Sequence, residues 1–407
     1  MLRPERTSAA EERGPMRPRS FRVLVVATSA MLMSMLSPAI VGQASASCNA
    51  TVAPGGDIQA VLDAQPAGAK ICISSGTYPI SSTLVPKTSQ RILAAGNPEP
   101  VIGCQAVQFC FDGTLGPENV TLRRLILEGA LNGDVRTGDG WTLDGVETRN
   151  AAVTGIEVRS ARKVTITRSY AHDNGKLGIS AAFATSLKIV STEVAFNATD
   201  PSFGAGLSGG MKLNGVIGLV VKKNSVHDNA GGAGIWLDQD SQQFQIVSNR
   251  SFDNALEEIR VEISCHGTVQ GNTVTGGSIA GIDAFNAHDV AISSNMIATP
   301  AGGLWGIRMF GNGRDTSGGT AACMNAGAYE NDSNRAVSNS VTMTDGSTVD
   351  GVVDAAGIST GNSWSGNTYE VPDCAALQWR WWDGTSKYFV DFAGWQAFGQ
   401  DLTGSCV

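Results

Sequence analysis

Charged and amide side chains recur at a regular interval in the middle of the chain. Asn214, Asp238 and Glu262 are spaced 24 residues apart, and Asp240 adds a carboxylate two residues after Asp238. A second series starts two residues before the first and runs beyond it: Lys212, Trp236, Arg260, Asp283 and Arg308. If one interval corresponds to one structural repeat, these side chains form a single charged patch, which we take as the candidate site.

The oxygen-bearing members of this patch could bind a cation. The predicted metal ligands are Asn214, Asp238, Asp240 and Glu262. They offer only amide and carboxylate oxygens, the ligands that Ca²⁺ prefers, so Ca²⁺ is the expected cofactor. A cation would neutralise the carboxylate of a uronic acid, whose negative charge opposes removal of the neighbouring proton. Lys212 or Arg260 would be the base or stabilise the developing charge, since a cationic neighbour lowers a lysine pKa.

This combination predicts β-elimination of a uronate-containing polysaccharide. Trp236 is expected to be exposed in this patch and to bind a sugar ring, because sugars bind to aromatic faces. Asp283 and Arg308 would extend the substrate-binding surface. Carboxylates on adjacent repeats repel each other unless a cation, a proton or a basic side chain lies between them.

Two other interpretations remain open. Asp238 and Glu262 could be a glycosidase pair, and a separation of about 5 Å would suit a retaining mechanism. The patch could instead lack chemistry and be a sugar-binding surface, or a row of ordinary ion pairs of little individual value.

The elements that carry these residues are predicted by an internal repeat. Six segments between residues 164 and 300 contain an apolar β-rich triplet, polar residues, an Asn or equivalent, and a turn. Their third apolar residues are Ile166, Ile189, Val221, Ile246, Val269 and Ile292. The intervals are 23 to 25 residues, except for one of 32 that contains an insertion at 198–209. A second short strand recurs in phase, with Gly-Ile at 155–156, 178–179, 234–235, 281–282 and 306–307.

Two short strands per repeat, without helical periodicity, predict a parallel β-helix in which stacked coils share one core. Alternation turns the Ile column of the second strand inward, so the site series faces outward on coils about 4.8 Å apart. The 198–209 insertion directly precedes the strand of Lys212 and is expected to form a wall beside the patch.

Three stretches of the chain resemble secreted right-handed parallel β-helix proteins of the pectate-lyase-like superfamily. GDIQAVLDAQPAGAKICISSGTY (56–78) is similar to the superfamily's N-terminal capping helix and following strand, and GIWLDQD (234–240) with IRVEIS (259–264) is similar to a segment of bacterial members. The resemblance implies an all-β, right-handed parallel β-helix over about residues 47–370. It does not fix the reaction, since the superfamily includes lyases, hydrolases, epimerases and non-enzymatic binders. The Asp-rich and Gly-His-Gly signature of polygalacturonases and the Asp-Pro-His-Glu motif of alginate epimerases are both absent.

The N-terminus is typical of an exported protein. Arg17, Arg19 and Arg22 precede the apolar run 23–36, and Ala44-Ser45-Ala46 follows, so residues 1–46 are predicted to be a signal peptide. Its removal takes away six Arg and three Glu and leaves 23 basic and 34 acidic residues, a net charge of −11. Such a chain is a poor non-specific nucleic-acid binder, and we expect a secreted monomer without a membrane span.

The cysteines and the C-terminal tryptophans are interpreted as structural residues. All eight Cys lie after residue 46, and their even number predicts disulfides, with Cys104–Cys110 and Cys374–Cys406 chosen from local spacing. The Trp-rich segment within 371–407 is interpreted as a cap on the last coil, with a sugar-stacking platform as the alternative.

Repeated polar residues are interpreted as structural. His172 and His227 occupy the same turn position and are expected to form local hydrogen bonds, whereas His266 is a weaker candidate for contact with the site. Another recurring set is expected to form a ladder of amide hydrogen bonds: Asn224, Asn249, Asn272 and Asn295.

Overall fold

The computed structural model describes residues 47–299, 305–312, 314, 321–324, 328–344, 350–354, 361–382 and 386–407. The predicted signal peptide, residues 1–46, lies outside the described residues. Helices are few in this part of the chain: α1 (Ile58–Ala64), α2 (Phe392–Ala397) and the 3₁₀ turns Gly113–Leu115 and Pro201–Phe203. Among the described residues, no helix has the length and apolar character needed to cross a membrane.

The strands form three long sheets, in which each strand pairs with its counterparts in the preceding and following coils. The first sheet contains β1 (Ala50–Val52), β2 (Lys70–Ile73), β4 (Arg91–Ala94), β7 (Thr121–Arg123), β10 (Thr142–Asp144), β13 (Thr165–Thr167), β16 (Lys188–Val190), β19 (Val220–Lys222), β22 (Gln245–Val247), β25 (Cys265–Gln270), β28 (His288–Ser293), β31 (Arg335–Val337) and β34 (Ser363–Ser365).

The second sheet contains β3 (Thr77–Pro79), β5 (Val101–Gly103), β8 (Ile126–Glu128), β11 (Glu147–Arg149), β14 (Tyr170–His172), β17 (Glu193–Ala195), β20 (Ser225–His227), β23 (Arg250–Phe252), β26 (Thr273–Thr275), β29 (Met296–Thr299), β32 (Ser340–Met343), β35 (Thr368–Glu370) and β38 (Ser405–Cys406). The third contains β6 (Phe109–Asp112), β9 (Gly133–Thr137), β12 (Thr154–Arg159), β15 (Leu177–Ala182), β18 (Gly209–Asn214), β21 (Ile235–Asp238), β24 (Glu257–Glu262), β27 (Ala280–Phe285), β30 (Trp305–Gly311), β33 (Asp350–Asp354), β36 (Trp379–Trp382) and β37 (Lys387–Val390).

Pairing is parallel throughout these sheets except between β36 and β37, so the predicted parallel β-helix is confirmed. The repeat triplets form the first sheet, where Ile166 pairs with Ile189 and Ile189 with Val221. The Gly-Ile strands form the third sheet, where Ile156 pairs with Ile179. These apolar columns are fully buried, because strand alternation directs their side chains into the hydrophobic core enclosed by the three sheets.

A single left-handed residue makes the turn between the first and second sheets in most coils. Arg168, Ser191 and Lys223 have φ values of 50°, 52° and 58°, and Gly145 and Gly271 occupy the same position in other coils. One residue of this conformation redirects the chain without a longer loop. The short turn keeps the coil length near 23 residues, which is the interval read from the sequence.

The residue after this turn forms the predicted amide ladder, which is confirmed. The side-chain NH₂ of Asn224 donates to the amide oxygen of Asn249 at 2.9 Å, and Asn249 donates to Asn272 at 3.0 Å. The ladder continues through Asn295 and Asn339. Each of these oxygens also accepts a backbone N–H from the preceding coil, as in the 3.0 Å bond from Asn224 N to Asn249. Buried polar groups thus stay paired between coils.

A second amide ladder follows the second sheet and connects Asn174, Asn197, Asn229 and Asn254. It stops at Asn254 because the next coil has Gly277 at this position, as the Phe252–Thr275 pairing shows. Glu258 replaces the missing amide: its carboxylate accepts from Asn254 N at 3.0 Å and from the hydroxyl of Ser251 at 2.8 Å. Glu258 is fully buried.

The two ends of the β-helix are covered as predicted. Asp57 caps α1 by accepting from Ala60 N at 3.0 Å, and Ile58 and Leu62 of this helix are buried against the core. At the other end Trp379 and Trp395 are fully buried in the same core. This burial confirms the C-terminal cap and leaves these two rings no open face for a sugar.

All eight cysteines are in disulfides. Cys104–Cys110 and Cys374–Cys406 confirm the two predicted pairs, and Cys48–Cys72 and Cys265–Cys323 complete the set. Four disulfides are typical of proteins in an oxidising compartment.

The buried carboxyl at the end of the second ladder makes a prediction about stability. Burial raises the pKa of Glu258 to about 7 from 4.5, although Asn254 and Ser251 donate to it. The folded chain therefore holds a proton that the unfolded chain releases near 4.5, and stability falls as pH rises from there through about 7. The full effect is about 3 kcal/mol. In Glu258→Gln, which cannot ionise, this loss should disappear when denaturant unfolding is compared with wild type at pH 5, 7 and 8.5. Parallel profiles for the two proteins would contradict it.

Candidate functional site

The candidate site lies on the outer face of the third sheet, and both predicted series are adjacent there. Lys212 of β18 pairs with Trp236 of β21, which pairs with Arg260 of β24. The series then continues through Asp283 and Arg308. Asn214 pairs with Asp238, and Glu262 lies one coil further, next to the Leu237–Val261 pair. Residues 24 positions apart in the sequence are thus neighbours, as the repeat predicted.

The prediction that Trp236 is exposed is wrong. Only 6% of the residue is accessible, since the ammonium nitrogen of Lys212 lies 3.2 Å from the centre of its ring. The Arg260 guanidinium lies 5.2 Å from the same ring, and the indole N–H donates to Glu262 at 2.9 Å. Cations attracted by the ring quadrupole therefore occupy the surface that a sugar was expected to cover.

A groove of about 380 Å³ runs over this patch. Its floor contains Lys212, Trp236, Asp238, Arg260 and Glu262. Ala205, Gly206 and Leu207 of the 198–209 insertion form one side, and Leu207 is 54% exposed. Lys212 donates to the carbonyl of Gly206 at 3.2 Å, so the insertion forms a wall beside the patch, as predicted.

Lys212 is the buried cation at the centre of the groove. Its ammonium lies 3.0 Å from a carboxylate oxygen of Asp238, and 11% of its side chain is accessible. Burial lowers the pKa of Lys212, and the neighbouring Asp238 opposes this effect only in part. A lysine with a lowered pKa is a stronger candidate for a general base near neutral pH than a solvated one.

Glu262 accepts hydrogen bonds from two side chains and lies beside a third, positively charged one. Its Oε2 accepts from Trp236 and lies 3.1 Å from Arg260, and its Oε1 accepts from Arg314. Arg260 also donates to Glu257 at 2.8 Å. Every carboxylate oxygen of Asp238 and Glu262 has a donor nearby, since Gln239 N donates to the other oxygen of Asp238.

Asp283 and Arg308 belong to the second predicted series, after Arg260, but they do not line the groove. Arg308 donates to both carboxylate oxygens of Asp283, at 2.8 and 2.7 Å, and Asp283 is fully buried. A bidentate pair of this kind anchors the sheet rather than offering free groups to a ligand.

The four predicted calcium ligands do not fit a calcium cage. Asp240 is oriented away from the others: its oxygens accept from the Tyr329 hydroxyl and the Cys323 N–H, both at 2.8 Å. Asp238 and Glu262 are bound to Lys212, Trp236 and Arg314 instead. Within the described part of the chain, no cluster of three or more His, Cys, Asp or Glu could hold a metal ion.

The histidines lie outside the groove. His172 is 2.6 Å from Asp173 and 3.3 Å from Glu147, and His227 repeats this arrangement with Asp228 and Glu193, which confirms the predicted turn hydrogen bonds. His266 lies 3.2 Å from Asp289 of the first sheet and does not touch the site.

Two charged residues of the groove were missed by the sequence analysis. Glu257 lies two residues before the IRVEIS motif (259–264). Its ion pair with Arg260 could be inferred only once β24 was known to begin at Glu257. Arg314 follows β30 and shares no repeat interval with the other site residues, so no sequence signal pointed to it.

Comparisons with known proteins support this architecture. A family model described as "Right handed beta helix region" matches residues 134–297. The A-module of an Azotobacter vinelandii mannuronan C-5 epimerase is similar, with a TM-score of 0.62 and 20% identity over 77% of this chain and 88% of that chain. A double mutant of a periplasmic alginate epimerase has a TM-score of 0.55 and 14% identity, over 79% and 84% of the two chains.

The Dettilon tailspike protein is also similar, with a TM-score of 0.54 and 12% identity over 81% of this chain and 70% of that chain. The comparison with curated protein sequences gave no match. At these identities the likeness establishes the shared fold.

The environment of Lys212 predicts how its protonation responds to Asp238. Removing the negative charge in Asp238→Asn should lower the pKa of Lys212 further, because Asp238 is the main group that raises it against burial. The pH dependence of acetylation of Lys212, followed by mass spectrometry, measures this shift. Asp289→Asn, which removes an exposed carboxylate on the first sheet, is the control and should leave the midpoint unchanged. An unchanged or higher midpoint in Asp238→Asn would contradict the prediction.

Proposed function

We propose that this chain, a right-handed parallel β-helix protein, binds an acidic polysaccharide in the groove of its third sheet and cleaves it by β-elimination. The observation that carries the proposal is the position of Lys212, buried on the groove floor between Asp238 and Trp236 with a lowered pKa. The similarity in fold to two epimerases named for mannuronan and alginate supports a uronate-containing substrate.

In the proposed step the neutral amine of Lys212 removes the proton next to the uronate carboxylate. The electron pair of that C–H bond forms a C=C double bond, and the glycosidic C–O bond on the neighbouring carbon breaks. The leaving oxygen takes a proton from water, and Lys212 later releases its own proton to solvent. Arg260 and Arg314 line the groove within reach of Glu262 and supply the positive charge that stabilises the carbanion-like transition state.

The proposed base also gives the pH dependence a direction. The pKa of Lys212 is below its usual 10.5, so the neutral fraction grows as pH rises through that lowered value. The rate should increase with pH over this range, since only the unprotonated amine accepts the substrate proton.

A second candidate function is epimerisation of the same substrate. It shares the first step, removal of the proton next to the carboxylate, and differs in that a proton returns from the opposite face while the glycosidic bond survives. The names of the two epimerases among the similar structures favour this candidate. Hydrolysis by Asp238 and Glu262 has less support, because all four of their carboxylate oxygens already have donors within the site.

Export is part of the proposal. Four disulfides suit an extracellular or periplasmic location, where a polysaccharide substrate would be met. A monomer remains the expectation for the oligomeric state.

The decisive experiment replaces the proposed base. Purified protein is incubated with polygalacturonate, polymannuronate and alginate, and the absorbance of unsaturated products is followed in the ultraviolet. Lys212→Met should reduce the rate by about 10²- to 10⁴-fold, the usual contribution of a general base. Lys222→Met, on the first sheet and outside the groove, is the matched control and should retain the wild-type rate. Activity is expected to survive a chelator, because the three carboxylates among the predicted calcium ligands, Asp238, Asp240 and Glu262, are paired with protein donors.

Other outcomes would overturn β-elimination. New reducing ends without ultraviolet absorbance would show hydrolysis. Uptake of solvent deuterium into an uncleaved polymer would show epimerisation, and binding without either change would show a non-catalytic carbohydrate-binding protein.

A further inference from the structure

Arg314 reaches the groove from outside the strands of the three sheets, since it lies between β30 and β31. It follows β30, and its guanidinium donates to Glu262 on the groove floor. Its side chain is 35% accessible, compared with 11% for Lys212 and 16% for Arg260. Of these three groove cations it is therefore the one that an entering ligand can most readily touch.

Asp240 holds a later part of the same segment. Its carboxylate accepts from the backbone N–H of Cys323 and from the hydroxyl of Tyr329, each at 2.8 Å. Asp240 is 2% accessible and Tyr329 is fully buried. The Tyr329 hydroxyl in turn accepts from Ala321 N at 3.1 Å, so one carboxylate orders three positions of the segment.

A disulfide joins Cys323 to the start of β25, the first-sheet strand that follows β24 in the chain. Cys323 forms a disulfide with Cys265, which lies three residues after Glu262. The disulfide packs with Ile263 and Tyr329 in a small apolar cluster separate from the main core. Glu262, the partner of Arg314, and Cys265, which anchors Cys323, thus lie only three residues apart in the chain.

We propose that Arg314 recognises the carboxylate of an acidic sugar and that Asp240, Tyr329 and the Cys265–Cys323 disulfide position it; this inference rests on the proposed function. A guanidinium has five N–H donors in a planar fork, and the contact with Glu262 leaves others to pair with a second carboxylate. Arg–carboxylate pairs are charge-assisted and geometrically specific. Asp240 is then a positioning residue and has no direct contact with the substrate.

The test compares the same sugar chain with and without its charge. Calorimetric titration measures binding of oligogalacturonate and oligomannuronate, each as the free acid and as the methyl ester. Wild type should prefer the acids. Arg314→Gln should weaken acid binding about tenfold or more and leave ester binding unchanged, and Arg314→Lys should recover part of the loss. Arg335→Gln removes a surface arginine paired with Asp289, away from the groove, and should bind like wild type.

The positioning role needs its own variants. Tyr329→Phe and Asp240→Asn, with thermal unfolding recorded to confirm that they fold, should weaken acid binding and leave ester binding near the wild-type value. A merely structural role would weaken acid and ester binding alike, and this result would overturn the assignment of Asp240 and Tyr329.

The outcomes separate this inference from the proposed function. Acid binding and elimination by wild type, with Arg314→Gln unchanged in its preference for acid over ester, would overturn the inference and leave the proposed function standing. If wild type binds neither the acids nor the esters, the proposed function fails and this inference fails with it.

Discussion

Hydrogen bonding between stacked coils is the constraint on which the rest of this structure depends. In a parallel β-helix each strand lies one strand spacing from its counterpart in the next coil. Every buried backbone N–H and C=O in the stack must therefore find a hydrogen-bond partner. The two asparagine ladders satisfy the groups that the turns would otherwise leave unpaired, as when Asn249 accepts both the backbone and the side-chain amide of Asn224. Each bond contributes only about 1 kcal/mol net, but an unpaired buried amide would cost more. Register is therefore fixed coil by coil, and residues 24 apart become neighbours.

The exceptions to the ladder show how strict this requirement is. Where the second ladder lacks its next amide, at Ala151 and at Gly277, an acid enters from the Gly column of the third sheet. Asp134 accepts from Ala130 N at 3.2 Å, and Glu258 accepts from Asn254 N at 3.0 Å. Between and after these two acids the column holds Gly at 155, 178, 210, 234, 281 and 306, and a Cβ on Gly234 would lie 2.5 Å from the Asn254 amide nitrogen. An acid therefore fits in this column only at the two ends of the second asparagine ladder. Burial at these positions raises the pKa of both carboxyl groups, Asp134 and Glu258.

In the groove, by contrast, several charged side chains lie close together, and each is paired with an opposite charge or an aromatic ring. Lys212 is held by Asp238 and the face of Trp236, and Glu262 by Trp236, Arg260 and Arg314. Burying each of these ions costs several kcal/mol in lost hydration, and pairing offsets much of this cost without a large net gain. A gain in folding stability is therefore a poor explanation for the patch. Fixed charges around an accessible groove are instead what electrostatic catalysis or recognition of an acidic sugar requires. Arg314 is the most accessible of the three cations, and its carbonyl accepts from Tyr329 N at 3.1 Å, while Tyr329 and Cys323 are bound to Asp240 and Cys323 to Cys265.

The repeat interval and strand alternation, read from the sequence, determined the architecture, the core columns, the first amide ladder and the neighbours Lys212–Trp236–Arg260. They could do so because a coil repeats a local pattern, and local pattern then dictates long-range register. Only the tertiary structure decided the direction of Asp240, the burial of Trp236 and the arrival of Arg314. These depend on the insertion at 198–209 and, after β30, on Arg314, Cys323 and Tyr329, which follow no period and are placed by contacts with the coils. Side-chain type and spacing predict which groups meet, but the packing of such irregular segments decides which of them a ligand can reach.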